Sequence, residues 1–395
     1  MFLDLGGTVR ASPPEETLAR LKPLLPLYGI TRVMGQHGLG NIRIPVSISC
    51  RPNSRFLSTS QGKGITRELA DISAIMESVE SFHAERVPAP VLTATVEEMR
   101  RSGRRFVEPA SLATVPGAQV PNDRPIGWIY ARHLASGEPT LVPRRFLSTD
   151  QCERPREVAT AGLNVSTNGL ASGNTLEEAT LHGLYELIER HCLFEHRHVF
   201  TDEQRLDRRV ILASLRGANL HIDALLAILD ESGMTLSVRS MHGDLGVPCF
   251  TVFMRPTNPD DRTSGAGHGA HCIPEIALSR AISEAVQSRV TYVSGSRDDT
   301  FPSDYHESDR EPRALLDDQV PCRLALSDVP RPPLFASFSE ALSWTRTRLE
   351  LHGFSETCVY SYQRAEYGDV PVVKVMSPGL QHDRPIPGVT IRADH

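Results

Sequence analysis

The segment from Asn168 to His191 reads NGLASGNTLEEATLHGLYELIERH, a Gly/Asn/Ser-rich loop that leads into a long helical pattern. Thr175 and Glu178 form a Thr-x-x-Glu capping box, which is typical of a helix N-terminus. Beside the apolar face, one polar stripe carries Glu178, His182, Glu186, Glu189 and Arg190. Acids stacked on a helix face repel each other by roughly 0.2–0.5 kcal/mol per exposed pair, so the stripe points to a bound cation.

Two further helices are predicted to carry stripes of the same kind. The first runs from Thr66 to about Arg86, where Pro88 ends it, and its stripe is Ser73, Glu77 and Glu80. The other runs from Pro274 to about Val293, and its stripe is Arg280, Glu284, Gln287 and Arg289. Any single stripe has an ordinary explanation as a solvated helix face. Three together favour a divalent metal ion that carries a polyphosphate.

Helices and short strands alternate irregularly along the rest of the chain. Strands are predicted at Ile42–Cys50, Leu236–Met241, Pro248–Met254 and Val370–Met376, while the glycine runs at 62–64 and 265–269 are predicted as loops. Several strands are close enough along the chain to pair in antiparallel, which favours an α+β fold over a doubly wound sheet.

The domain organisation predicted from this pattern is one domain, 1–395, with subdomains. Residues 60–295 would form the nucleotide-binding core. Residues 296–335 are dense in Asp, Pro and Arg and are expected to be an exposed linker, and residues 336–395 a small α/β C-terminal segment.

Composition excludes several classes of protein. A net charge of −6 over 395 residues does not favour binding to nucleic acid or to an anionic membrane. The sequence has no run of about 18 apolar residues and no secretory signal at its start. Its seven cysteines are scattered without a CxxC pair, which favours reduced thiols. We therefore expect a cytoplasmic protein.

The usual phosphate-binding loops are missing from the sequence pattern. The run Gly62-Lys63-Gly64 resembles the end of a P-loop, but Leu57 takes the place of the first glycine and Gly64 that of the Ser/Thr. The 265–269 run fails the dinucleotide pattern as well. A polyphosphate would then be held through metal-bridged carboxylates.

The three stripes resemble the three ATP-binding signatures of the YcaO superfamily. They match as SxxxExxE at Ser73–Glu80, as the segment Asn168–His191, and as RxxxEAxQxR at Arg280–Arg289, in the order found in the family. The chain resembles a standalone YcaO protein without a fused E1-like domain. The resemblance implies YcaO-type mixed sheets with long helices that carry a glutamate-rich ATP/Mg²⁺ site.

The resemblance also implies roles for individual residues. Glu77, Glu80, Glu186 and Glu189 match magnesium ligands. Arg10, Thr17, Ser73, Glu178, His182, Arg190, Arg280, Glu284, Gln287 and Arg289 match nucleotide or phosphate contacts, and Arg190 and Arg289 match cations that stabilise the transferred phosphoryl group. Many members carry Gln where this chain has His182, and the ligand and capping roles of Glu178 stay open.

The implied reaction is O-phosphorylation of a backbone amide in a ribosomally made peptide. Loss of phosphate gives an azoline, an amidine or a thioamide. The chain has Pro385-Ile-Pro387 but continues to His395, unlike the terminal PxPxP of azoline-forming members, so the azoline and the thioamide stand equal. Implied partners are a precursor peptide, a TfuA-like or ThiF-like protein and a second copy of the chain as a homodimer. A catalytically weak ATP-binding accessory protein and a magnesium-dependent ligase of glutamine-synthetase type are the alternatives.

Overall fold

The computed structural model describes residues 2–36, 39, 41–112, 121–152, 166–258, 260–261, 263–295 and 321–382. The chain forms two compact units, each built from separate segments. Unit 1 comprises Met1–Asn53, Leu57–Ser78 and Cys192–Ala341, and unit 2 comprises Ser54–Phe56, Val79–His191 and Leu342–His395. The predicted subdomain boundaries stay a prediction. Residues 296–320 of the predicted linker and the prolines at 385 and 387 lie outside the described residues.

The strands and helices of the described residues are numbered in chain order. The strands are β1 (Leu3–Asp4), β2 (Val9–Arg10), β3 (Arg32–Gly35), β4 (Val46–Cys50), β5 (Thr59–Lys63), β6 (Leu92–Ala94), β7 (Ile126–His133), β8 (Pro139–Pro143), β9 (Leu170–Ser172), β10 (Met234–Ser240), β11 (Cys249–Pro256), β12 (Gly265–Ala270), β13 (Cys358–Ser361) and β14 (Val372–Met376). The helices are α1 (Pro14–Leu21), α2 (Arg67–Ala84), α3 (Val96–Arg101), α4 (Arg144–Leu147), α5 (Leu176–His198), α6 (Asp202–Asp207), α7 (Leu220–Glu231), α8 (Pro274–Ser294) and α9 (Phe338–Leu351).

Unit 1 contains two three-stranded antiparallel sheets, β3-β4-β5 and β10-β11-β12, and the small ribbon β1-β2. Helices α7 and α8 bury their apolar faces against β10 and β11, and the core includes Leu226, Phe250 and Ile282. Burial of each such side chain contributes roughly 1.5–3 kcal/mol.

Unit 2 is built on a six-stranded antiparallel sheet in which β7 pairs with β6, β8 and β13, and β14 joins β13 to β9. Trp128 of β7 is fully buried, and its indole N–H donates to the Ala94 carbonyl at 2.9 Å, which satisfies its polar atom. Antiparallel pairing in both units confirms the predicted α+β class. No helix in the described part of the chain has the length and apolar character to span a bilayer.

Two glycine runs that were predicted as loops belong to strands, so those predictions are wrong. Gly62 lies in β5, and a Cβ there would fall 2.1 Å from the Ala74 amide nitrogen of α2. Gly267 lies in β12, and a Cβ there would fall 2.2 Å from the Ala281 carbonyl oxygen of α8. The glycines allow the strand to approach the helix backbone closely, which is the other meaning of glycine in a strand. Strands β5 and β12 thereby pack on helices that carry the first and third stripes.

Candidate functional site

In unit 1, strand β5 connects the first stripe with the third. The Gln61 backbone N–H donates to Glu77 Oε2 of α2 at 3.1 Å. The Gln61 carbonyl accepts from Gln287 Nε2 of α8 at 3.1 Å. Ser73 is half-buried one turn before Glu77, which is exposed. Residues from two motifs that are about 210 positions apart in sequence are therefore held to one strand.

The third stripe also contains an ion pair that sequence reasoning did not foresee. Lys63 Nζ lies 2.8 Å from Glu284 Oε2, and the two side chains are 23% and 25% exposed. The other oxygen, Oε1, accepts the His268 backbone N–H at 3.3 Å. The signal for Lys63 was the Gly-Lys-Gly run, which was set aside because it fails the P-loop pattern.

Arg10 and Arg280, which come from the N-terminal ribbon and the third stripe, influence the same imidazole. Burial lowers the pKa of His271 to about 3, and the positive charges of Arg280 and Arg10 add to the effect. The neutral ring accepts the Ile273 N–H at Nδ1, at 3.0 Å. The charges of Arg10 and Arg280 thus act on the same ring, and guanidinium groups are side chains that suit a phosphate.

Two other residues of unit 1 that are predicted to contact the nucleotide, Arg289 and Thr17, form hydrogen bonds within the protein. Arg289 forms an ion pair with Asp261 at 2.9 Å and donates to the Thr263 carbonyl. Burial raises the pKa of Asp261, but hydrogen bonds from Thr263 and Arg289 outweigh it and lower the pKa to about 2. Thr17 is buried and its hydroxyl donates to the Pro13 carbonyl at 3.1 Å. Their predicted nucleotide contacts stay predictions.

In unit 2, Glu178 closes the N-terminus of α5. The Glu178 N–H donates to Thr175 Oγ1 at 3.1 Å, as the capping box requires. In a capping box the carboxylate accepts the N–H of the N-cap residue, here Thr175. The Glu178 carboxylate instead accepts the N–H of the preceding residue, Asn174, at 3.2 Å. The residue is 3% exposed. The capping role is confirmed, and a ligand role stays a prediction.

Two predicted magnesium ligands are attached to the two ends of β9. Ser172 Oγ donates to Glu80 Oε1 at 2.6 Å, and the Gly169 N–H donates to Glu186 Oε2 at 3.1 Å. Glu189 is 5% exposed one turn beyond Glu186. The remaining members of this stripe, His182 and Arg190, are half-buried on α5.

A buried lysine in unit 2 was missed by the sequence analysis. Lys374 of β14 is 1% exposed, its Nζ donates to the Ser166 carbonyl, and it lies 5.4 Å from the centroid of the Phe146 ring. Burial lowers the pKa of Lys374 to about 8, while the negative charge of Glu186 opposes that shift. The signal was available, because one lysine interrupts the run VVKVM of an otherwise apolar strand.

The donor atoms fit magnesium and a polyphosphate. Carboxylate oxygens are the ligands Mg²⁺ prefers, and it usually takes one or two of them and completes its shell with phosphates and waters. Among the described residues, no three His, Cys, Asp or Glu side chains form a metal-binding group on their own. Glu80 and Glu186 each carry carboxylate oxygens of the type that Mg²⁺ prefers, and each is oriented by a hydrogen bond from Ser172 of β9 or from Gly169 just before that strand.

Comparison of sequences gives a consistent set of relatives. Residues 61–381 match the family model described as "YcaO cyclodehydratase, ATP-ad Mg2+-binding". An uncharacterised protein in the tfuA 3' region of Rhizobium leguminosarum bv. trifolii is 36% identical over 387 residues, covering 95% of this chain and 89% of that protein. An uncharacterised protein of Mycobacterium tuberculosis is 33% identical over 399 residues, covering 95% and 83%.

Solved structures share the fold. YcaO from Methanopyrus kandleri, bound with AMPPCP and Mg²⁺, superposes with a TM-score of 0.74 at 21% identity, covering 97% of this chain and 98% of that one. A heterocyclase in complex with substrate and cofactor gives a TM-score of 0.76 at 22% identity, and it covers 94% of this chain, which spans 53% of the heterocyclase. The predicted family, the predicted fold class and the predicted cofactors, ATP and Mg²⁺, are confirmed. The chain belongs to the YcaO family, which is described as binding ATP and Mg²⁺.

Proposed function

We propose that this protein is an ATP-dependent peptide-modifying enzyme that phosphorylates a backbone amide oxygen in a ribosomally made peptide. The observation that carries the proposal is the attachment of Glu77 and Gln287, from two motifs, to the same residue of β5 in a chain of the YcaO family. That arrangement gives the motif residues fixed positions, and phosphoryl transfer depends mainly on positioning and charge neutralisation.

The residues of each unit suit a different part of that task. In unit 2, Glu80 and Glu186 present carboxylate oxygens for Mg²⁺, which supplies charge neutralisation to the triphosphate when bound. In unit 1, Arg10 and Arg280 supply guanidinium donors for phosphate oxygens. Glu77, Glu189, Ser73 and His182 keep the roles that the motif match assigns.

The two predicted catalytic arginines differ in their surroundings. Arg289 is held by Asp261 and by the Thr263 carbonyl, so its guanidinium is fixed and its charge is largely balanced. Arg190 is half-buried on the same helix as Glu186. Both arginines keep the role of stabilising the phosphate that the motif match assigns to them.

The product is an azoline or a thioamide, and the relative in the tfuA 3' region supports testing a TfuA-like partner first. The chain would be incubated with Mg-ATP and the precursor peptide, with and without that partner and a sulfide source. Loss of one water from the peptide identifies an azoline. Replacement of oxygen by sulfur identifies a thioamide. No ATP-dependent mass change in any mixture contradicts the proposal.

A second candidate is a catalytically weak ATP-binding accessory protein of a peptide-modification complex. The pairing of Arg289 with Asp261 favours it, because one predicted catalytic cation is already neutralised. This candidate predicts that Mg-ATP raises the melting temperature without hydrolysis, even with peptide and partner present. Peptide-stimulated release of phosphate excludes it.

The remaining expectations belong to the same proposal. The enzyme would act in the cytoplasm, bind neither nucleic acid nor membrane, and work as a homodimer. Sedimentation of the purified chain with and without Mg-ATP tests the oligomeric state.

A further inference from the structure

Unit 2 contains an open pocket of about 520 Å³ that is lined by none of the predicted ATP or metal residues. Among the residues that the structure describes, the charged lining consists of four arginines and two acids: Arg55, Arg86, Arg144, Arg364, Glu85 and Asp150. The volume is within the range of ligand-binding clefts, which is roughly 300–1,000 Å³. Nothing in the proposed phosphoryl transfer uses this pocket.

Both acids of the pocket are buried and bonded. The Glu85 side chain is 0% exposed, and it accepts from Ser54 Oγ at 2.6 Å and from Arg86 at 3.2 Å. The Asp150 side chain is 8% exposed and pairs with Arg55 at 2.9 Å, while Arg55 remains 54% exposed. In both pairs the arginine side chain is more exposed than its carboxylate, with 54% for Arg55 and 32% for Arg86.

The other two arginines add positive charge to the same wall. Arg144 donates from Nε to the Pro88 carbonyl at 2.6 Å and from Nη2 to the Val87 carbonyl at 3.0 Å, which fixes its orientation. Arg364 lies 3.6 Å from Glu366 Oε1, a carboxylate that is 64% exposed. Glu366 does not line the pocket, and among the described lining residues the arginines outnumber the acids four to two. The lining therefore favours an anion.

We propose that this pocket binds an acidic side chain of the peptide substrate and thereby serves as a recognition subsite. The planar guanidinium fork matches a carboxylate in bidentate geometry, and fixed guanidinium groups lose little entropy when they bind. An open pocket of this size accommodates one or two extended residues. The identity of the ligand as substrate rests on the proposed function, whereas its acidic character rests on the lining alone.

Cys152 gives a direct readout, because it lines the pocket and is exposed, whereas Cys50 and Cys322 are half-buried and do not line it. The full chain would be treated with iodoacetamide without nucleotide, and alkylation would be followed site by site by mass spectrometry. An Asp-rich hexapeptide should slow the alkylation of Cys152 several-fold. The matched Asn-rich hexapeptide should not. Equal protection by both peptides, or by neither, overturns the proposal.

Substitution of one arginine tests the charge directly. A fluorescently labelled form of the Asp-rich hexapeptide allows its dissociation constant to be measured. Arg364→Met should raise that constant about tenfold, the order expected when a charged hydrogen-bond partner is lost. Arg364→Lys should recover part of the affinity. The matched control is Arg132→Met, since Arg132 is an exposed arginine of β7 outside the pocket. Equal affinities of the two Met variants contradict the subsite.

Competition experiments separate the acidic peptide from other anions. Inorganic phosphate and a duplex oligonucleotide at equal charge concentration should displace the peptide less well than unlabelled peptide does. Displacement by either of them at lower concentration overturns the assignment to a peptide. All of these measurements omit ATP, so their failure leaves the ATP-dependent mass change as a separate test of the proposed function.

Discussion

The motif residues of unit 1 and unit 2 are held in different ways. In unit 1, Glu284 pairs with the ammonium group of Lys63, and the charges of Arg10 and Arg280 help to keep His271 neutral. In unit 2, Glu80 accepts a hydrogen bond from a hydroxyl and Glu186 accepts one from a backbone N–H, and Glu186 also interacts electrostatically with the buried Lys374. A direct contact between a carboxylate and an ammonium group largely neutralises both charges, whereas a hydrogen bond from a neutral donor leaves the charge of the carboxylate in place. Position on a helix stripe therefore does not define a glutamate's task; its partner does.

The largest expected effect concerns the carboxylates of unit 2. Glu186→Gln should raise the Mg²⁺ concentration needed for half-maximal ATP turnover by about 10–100-fold or more, because an amide is a far weaker Mg²⁺ ligand. The measurement is a Mg²⁺ titration of phosphate release. Glu177→Gln is the matched control, since Glu177 is exposed on the same helix outside the stripe.

The same titration of Glu284→Gln sharpens the comparison. Glu284 is neutralised by Lys63, so its variant should change the affinity for ATP more than the requirement for Mg²⁺. If Glu284→Gln shifts the Mg²⁺ requirement as far as Glu186→Gln does, the distinction between the two units is wrong.

The next effect is on the packing that supports the third stripe. Gly267→Ala should lower the free energy of unfolding by about 1–3 kcal/mol or more, because its Cβ would meet the Ala281 carbonyl at 2.2 Å. Urea denaturation measures it. Gly243→Ala is the control, because its Cβ would meet only the flexible end of Glu195. Equal losses in the two variants would refute the close strand–helix approach.

Buried titratable groups should make the stability of the protein depend on pH in two separate ranges, one for each unit. The pKa of His271 falls from 6.5 to about 3 on folding, so the folded state binds fewer protons and stability decreases as pH drops below 6.5. His271→Asn should reduce that acid sensitivity in urea titrations between pH 7.5 and pH 5, relative to the exposed His198→Asn. An unchanged acid slope contradicts the assignment.

The corresponding effect in unit 2 lies on the alkaline side. The pKa of Lys374 falls from 10.5 to about 8, so the unfolded state binds the additional proton and stability rises from pH 8 toward 10.5. Lys374→Met should remove that rise from the free energy of unfolding, measured by urea denaturation between pH 8 and pH 10.5. If stability still rises between pH 8 and pH 10.5 in the variant, the assignment of this rise to Lys374 is wrong.

The smallest effect is expected for the Lys63–Glu284 pair as a contribution to stability. Both side chains remain partly exposed, so Lys63→Met should cost less than about 1 kcal/mol of unfolding free energy. A loss well above that value would mean that the pair is structural rather than part of a ligand site.

The helices that carry the site were predictable from local sequence. The first stripe's helix was predicted from Thr66 to Arg86 and spans Arg67–Ala84, and Pro274 is indeed the first residue of α8. Proline at the end or start of a helix and apolar periodicity are local signals, which explains this success. The YcaO motifs lie on these helices, so the family was accessible as well.

What sequence reasoning missed depends on contacts between distant residues. Gly62 and Gly267 follow the general rule that glycine breaks regular structure, and only their contacts with Ala74 and Ala281 show why glycine is needed in a strand. Lys374 and Glu186 are neighbours only after β14 has joined the sheet beside β9. Neither the strand–helix contacts of the glycines nor the proximity of Lys374 to Glu186 can be inferred from a short stretch of sequence.

The interleaving of the two units has a consequence for synthesis on the ribosome. Strands β13 and β14 lie between β7 and β9 in the sheet of unit 2, yet they emerge after all of unit 1 has been translated. At a translation rate of about 5–20 residues per second, β14 is synthesised roughly ten seconds or more after β9, its neighbour in the sheet. The backbone of β9 and the buried face of α5 are therefore exposed to the cell during that interval, and the nascent chain is a natural client for chaperones.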